Sequence, residues 1–136
     1  MPALQSSIDA VQVAAKAAND AKGLDIVAFD VSEPIAITDA FLVASGDNER
    51  HVLAIADSIE RALHTQFGLN PASREGLEEA KWILLDYSDF VIHIMHKDAR
   101  KFYDMERLWK DCPPVDLGLD HPLFTTDAAA NSSQSA

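Results

Sequence analysis

The sequence predicts an α/β (α+β) fold, a mixed sheet of four or five strands with helices packed on it. Three observations predict it. Short apolar, β-rich runs alternate with longer segments whose apolar residues recur at helical spacing. Two of those runs, Trp82–Tyr87 and Phe90–His96, are separated only by Ser88 and Asp89, the spacing of a hairpin. A chain of 136 residues with 48% hydrophobic and 24% charged residues can bury one ordinary core without a disulfide or a metal.

Along the chain, Ser6 or Ser7 is placed to cap a first helix, with Asp9 in its first turn. Ile8, Val11, Ala15 and Ala18 carry its stripe, and Gly23 is its expected stop. The stripe is small and alanine-rich, so this helix should lie close against something flat. Ile26–Val31 is too uniformly apolar for one wet face and is expected as a central strand. After a loop from Ser32 to Asp39, Phe41–Ser45 reads as a second buried strand. Asp47 or Asn48 caps a long helix with Val52, Ile55, Ala56, Ile59, Ala62 and Leu63 on its apolar face. Asp57 and Arg61 pair on its wet side, and Phe67 and Gly68 end it. Asn70–Glu79 holds at most a short edge strand.

After the hairpin, Asp98 is expected to cap a last helix. Ala99, Phe102, Met105 and Trp109 share one face of it, and Arg100, Tyr103, Asp104 and Arg107 another. Pro113 and Pro114 must stop it. The expected domain is 1–114. Residues 115–136 form a tail, of which 125–136 is too polar and small to bury itself and is expected to be disordered. No internal repeat is visible.

Lys and Arg number 11 and Asp and Glu 22, a formal net charge of -11. That balance excludes grip on a nucleic-acid backbone, which depends on cations displacing counterions, and docking on an anionic membrane. It suits a basic partner, or solubility alone. One cysteine, Cys112, allows no intrachain disulfide, which fits a reducing compartment. The first residues show no basic segment followed by an apolar run, and no stretch approaches the ~20 apolar residues of a membrane span. A cytoplasmic location is expected.

Candidate chemistry is sparse. His93, His96 and Asp98 are the best metal set. However, two histidines three apart on a strand point to opposite faces, and satisfied sheet histidines explain them as well. Ser45-Gly46 before a helix start is a weak phosphate cradle, because Asp47 and Glu49 bring negative charge and cap the same amides. Asp86 and Asp89 lie across a turn and Asp30 stands alone, so no carboxylate pair suits two-metal chemistry. Cys112 sits at a helix C-terminus, where the dipole disfavours thiolate. Ser88 lacks a nucleophile-elbow context. No catalytic set, metal or cofactor is expected.

What remains is a recognition surface. Trp82, Leu84 and Asp86 share one face of the hairpin, and Ile83, Leu85 and Tyr87 the other. One face must meet the helices, and periodicity leaves open which. An exposed Trp or Tyr beside acids suits a hot spot for a basic partner. The competing reading is that Trp82 and Trp109 are core.

The run Trp82-Ile83-Leu84-Leu85-Asp86-Tyr87-Ser88-Asp89, then Val91–His96, then Ala99-Arg100-Lys101-Phe102-Tyr103-Asp104-Met105-Glu106-Arg107-Leu108-Trp109 resembles the ribosomal silencing factor (Iojap-like) family. Ile37-Thr38-Asp39-Ala40-Phe41, Ala44-Ser45-Gly46, Arg50-His51-Val52, Ile55-Ala56-Asp57 and Arg74-Glu75-Gly76 agree with it. The resemblance covers about Ala10 to Pro114 and implies a nucleotidyltransferase-like topology without its active site. It implies a translational repressor that binds large-subunit ribosomal protein number fourteen and blocks subunit joining, notably in starvation. It also implies homodimers. On those motif positions the expected partner-binding residues are Trp82, Asp86, Tyr87, His93, Tyr103, Asp104 and Arg107. A dimeric scaffold module and a residual nucleotidyl transferase are the alternative functions.

Overall fold

The computed structural model describes residues 4–35, 37–103, 107 and 109–119. The elements run α1 (Gln5–Asp20), β1 (Leu24–Asp30), β2 (Ala40–Gly46), α2 (Glu49–Phe67), β3 (Ser73–Glu75), β4 (Trp82–Asp86), β5 (Phe90–His96) and α3 (Lys97–Tyr103). The strands form one mixed sheet in the order β1-β2-β5-β4-β3, antiparallel except for the parallel pair β2 and β5. No described helix is long and apolar enough to cross a membrane.

Helices α1 and α2 cover one sheet face. Val52, Ile55, Ala56, Ile59 and Leu63 of α2 are buried there, as the periodicity predicts. They meet Ile83 and Leu85 of β4 and Ile92 and Ile94 of β5. The alanines of α1 let it lie close to both α2 and the sheet, and Ser58 Oγ donates to the Ala17 carbonyl at 3.1 Å. The opposite face carries a smaller cluster of Val27, Phe29, Val31, Val43 and Met95. Phe41, Trp82, Ala99, Trp109 and Cys112 pack partly buried against it.

Several expectations change. Helix α1 starts at Gln5, so Ser6 and Ser7 lie inside it. Its start is held in trans by Asp39, whose Oδ2 accepts from Ser7 Oγ at 2.7 Å and from the Leu4 amide at 3.3 Å. Lys22, at φ +68°, takes the left-handed position after α1. Gly23 is needed instead because a Cβ there would lie 2.9 Å from the Ala18 carbonyl oxygen.

Strand β1 is an edge, not a central strand. Its apolar run reflects cover on both faces, since Ile26 and Ala28 join the helix-side core and Val27 and Phe29 the other cluster. Its outer edge pairs with the chain after α3, through Asp30 N–H to the Pro113 carbonyl and Val115 N–H to the Ala28 carbonyl. The boundary drawn at 114 thus falls within packed chain, because Val115 and Leu117 are buried. Residues 125–136 lie outside the described residues.

On α3 the face shared by Ala99, Phe102 and Trp109 is covered only in part, with Ala99 and Trp109 packed against the smaller cluster. Phe102 is 79% exposed, while Arg100 is buried and donates to Ser45 Oγ at 2.9 Å and the Leu24 carbonyl at 3.3 Å. The guanidinium therefore ties α3 to the ends of β1 and β2. Asp98 is not the cap either: its N–H donates to His96 Nδ1 at 3.1 Å. Arg100→Met keeps the apolar stem but strands the buried Ser45 hydroxyl and the partly buried Leu24 carbonyl. It should lower unfolding free energy by about 2 kcal/mol in a urea titration.

Candidate recognition face

The register of the sheet decides which hairpin face is open. Burial alternates along β4, with Ile83 and Leu85 fully buried under the helices and Trp82, Leu84 and Asp86 partly exposed on the other side. Glu75 of β3 is paired with Leu84 and Ser73 with Asp86, so these residues share the open face. Arg74, between them, points to the helix side and chelates Glu60 of α2 through Nε and Nη2.

Trp82 stands at the edge of a groove lined by Arg74, Gly76, Leu77, Glu78, Glu79, Lys81 and Ala99. Phe102, one helical turn beyond Ala99 on α3, is an exposed aromatic. The groove wall is set by Gly76, at φ +82°, whose backbone is pressed against the Trp82 carbonyl. Ala80 N–H closes the turn onto the Gly76 carbonyl at 2.9 Å.

Trp82 Nε1–H donates to His93 Nδ1 at 3.1 Å, which places the His93 proton on Nε2. His93 is only 5% exposed, and its Nε2 has no hydrogen-bond partner among the described residues. Phe41 meets the imidazole edge-on at 5.0 Å and Trp109 at 5.2 Å. Burial pushes the His93 pKa down to about 4 from 6.5. The folded protein therefore keeps this ring neutral, while the unfolded chain protonates near pH 6.5. Its stabilisation is complete above that pH and disappears as pH falls toward 4. The difference amounts to ~3 kcal/mol. His93→Gln keeps an acceptor for Trp82 but does not titrate. Denaturation across pH 7 to 4 should show a flatter loss of stability for it than for the parent.

The structure separates the expected contact residues. Trp82 and Asp86 lie together on the open face. Asp86 Oδ1 also accepts from the Ser88 amide at 2.8 Å, shaping the turn. Tyr87 faces the helices, 8% exposed and stacked on Phe90 at 4.9 Å, so it is corrected to core. Burial, with the Glu60 carboxylate adding, pushes its phenol up to about 12. His93 is likewise corrected from contact to support beneath Trp82, because its ring is enclosed. Arg107 is exposed, Tyr103 ends α3, and Asp104 lies outside the described residues.

Sequence reasoning missed Glu78 and Glu79 as groove neighbours of Trp82, and Glu75 as a residue of the same sheet face. The acidic run around Gly76 was the available signal, but only the β3–β4 register brings it to this face.

The alternative chemistries also meet geometry. His93 turns into the open-face cluster while His96 binds the start of α3, so the two rings do not converge. Asn48 Oδ1 accepts from the His51 amide at 2.9 Å, capping α2 where a phosphate would sit. His51 Nδ1 accepts from Asp47 N–H, and its Nε2 reaches the Ala21 carbonyl at 2.9 Å. Burial, then Asp111 and Asp30, push the Cys112 thiol up, away from nucleophilic thiolate.

The family model described as "Ribosomal silencing factor during starvation" matches residues 4–136. A ribosomal silencing factor of Halalkalibacterium halodurans is 38% identical over 112 residues, 82% of this chain and 95% of that protein. One from Bacillus subtilis is 37% identical over 79% of this chain and 90% of that protein. A crystal structure from Chromobacterium violaceum matches with a TM-score of 0.70 at 34% identity, over 89% of this chain and 93% of that one. With the mixed five-stranded sheet and the hairpin motif in place, these matches establish that the chain belongs to the ribosomal silencing factor family.

Proposed function

We propose that this protein represses translation in the cytoplasm by docking on the large ribosomal subunit, through ribosomal protein number fourteen, and blocking small-subunit joining. The observation that carries the proposal is the open face of β3 and β4. There Trp82 lines a groove with Glu78 and Glu79, and Glu75 and Asp86 lie on the same sheet face. An aromatic anchor on an acidic face fits a basic protein surface, and a net charge of -11 steers the chain toward one. Tyr103, the last residue of α3, is proposed to extend the contact together with Asp104 and Arg107.

The mechanism is steric and needs no catalytic group. A folded domain seated on the joining face must leave before the small subunit can arrive, so repression follows mass action. Sedimentation of purified subunits with this protein, at magnesium high enough to drive joining, tests it. The protein should travel with the large subunit and the joined peak should shrink. Protein left at the top of the gradient with the joined peak unchanged would sink the proposal and favour a dimeric scaffold.

A further inference from the structure

We propose that the groove between α1 and α2 is the seat of the chain's own segment from Asp120 to Phe124. The two helices run antiparallel, with His51 Nε2 against the Ala21 carbonyl at one end and Ser58 Oγ donating to the Ala17 carbonyl farther along. Between them they leave a groove of about 450 Å³. That is within the ~300–1,000 Å³ of ordinary binding clefts. Its floor is apolar, made by Val13, Ala17 and Ala62. The charges on its walls are paired within each helix, Lys16 with Asp20 at 3.1 Å and Arg61 with Asp57. An apolar floor between neutralised walls suits an apolar occupant, because an added charge would lose water and find no free partner there.

The occupant follows from where the described chain stops. Val115 and Leu117 are buried in the helix-side core, and Gln12 Nε2 of α1 donates to the Asp116 carbonyl at 2.8 Å. The chain turns at that point: Gly118, at φ +68°, donates its N–H to Asp116 Oδ1 at 3.0 Å. Leu119 packs against the same core. The following segment therefore starts beside α1 from a fixed anchor. Lys16, on the groove wall, lies one helical turn from Gln12. About five extended residues reach at most ~18 Å, enough to cross a helix ~10 Å wide. The residues in that position are Asp120-His121-Pro122-Leu123-Phe124, and Leu123 and Phe124 are the only large apolar side chains after Leu119. Pro122 fixes its own φ and so lowers the entropy lost on seating. Tethering supplies an effective concentration on the order of mM, so a contact too weak to hold a separate molecule suffices. The groove is on the helix side of the sheet, and the inference is independent of the docking face.

The test uses the full chain, isotope-labelled, in solution. The Phe124 ring should show nuclear Overhauser contacts to the Val13 and Ala62 methyls. Chymotrypsin should cut after Phe124 about fivefold more slowly than in Ala62→Lys, which fills the groove with a charged chain, because cleavage follows the population of released segment. Leu123→Ser with Phe124→Ser leaves the described core untouched and should shift the amide signals of Val13, Ser58 and Ala62. Phe124 signals at random-coil positions, contacts to Trp82 instead, or equal cleavage in a folded Ala62→Lys protein each overturn the inference. So do contacts that grow with protein concentration, which would place the segment on a second copy. Should Ala62→Lys fail to fold, the tail variant decides alone: groove amides that it leaves unshifted overturn the inference.

Discussion

Gly76→Ala should destabilise the protein by roughly 3–5 kcal/mol, and its damage should centre on Trp82. The added Cβ would lie 2.0 Å from the Trp82 carbonyl oxygen, far inside van der Waals contact, and that oxygen is backbone that cannot rotate away. Gly76 also sits at φ +82°, a conformation that costs an L-residue about 1–2 kcal/mol by itself. Relief requires the start of β4 to move. The strand is held there by its pairing of Trp82 with Met95 and of Ile83 with Ile94, and by His96 N–H bonding the Lys81 carbonyl at 2.8 Å. Thermal melts should show the loss. The indole fluorescence of Trp82 should shift with it, since moving the strand breaks the hydrogen bond to His93. A variant as stable as the parent would mean that the turn is placed differently.

Trp82→Ala should weaken large-subunit binding roughly 30-fold or more, equivalent to about 2 kcal/mol, the range of an aromatic hot spot. The indole covers the open-face cluster yet remains partly exposed, so truncation removes a contact without emptying the main core. The variant should therefore stay folded, with a modest drop in melting temperature from exposing His93. Trp82→Phe is the informative companion. It keeps most of the apolar area and loses the Nε1 donor, so binding should fall only a few-fold. Equal losses in both variants would show that the hydrogen bond to His93, which orients the indole, matters more than its area. Full binding by a folded Trp82→Ala protein would move the docking surface elsewhere. Asp86→Asn tests the carboxylate separately, because an amide oxygen can still accept from Ser88 N–H while the charge is gone.

Much of this was legible before any coordinates. The 3.6-residue period named every buried residue of α2, because only one stripe of a long amphipathic helix can meet a sheet. The Ser88-Asp89 spacing marked the hairpin, and alternation along Trp82–Asp86 divided it into two faces. Local chemistry narrowed the cap of α2 to Asp47 or Asn48, since a side-chain acceptor there meets an orphan amide, and Asn48 takes the role. Family membership was legible in the motifs of the hairpin and α3 for the same reason: those residues are adjacent in sequence.

Long-range placement was not. That β1 lies at an edge depends on the strand order, and cover for its outer side depends on the chain at 113–115 returning to it, a contact between segments more than eighty residues apart. That Arg100 is buried and Phe102 exposed depends on Ser45 and Leu24 supplying acceptors from other strands. The choice between Trp82 and Tyr87 for the open face was decided only when α1 and α2 took the other side. Sequence alone determined the elements, their apolar stripes and the family, because those follow from neighbours along the chain. Tertiary structure decided which face is wet, which charge is buried and which edge is covered, because each depends on groups the chain brings together only by folding.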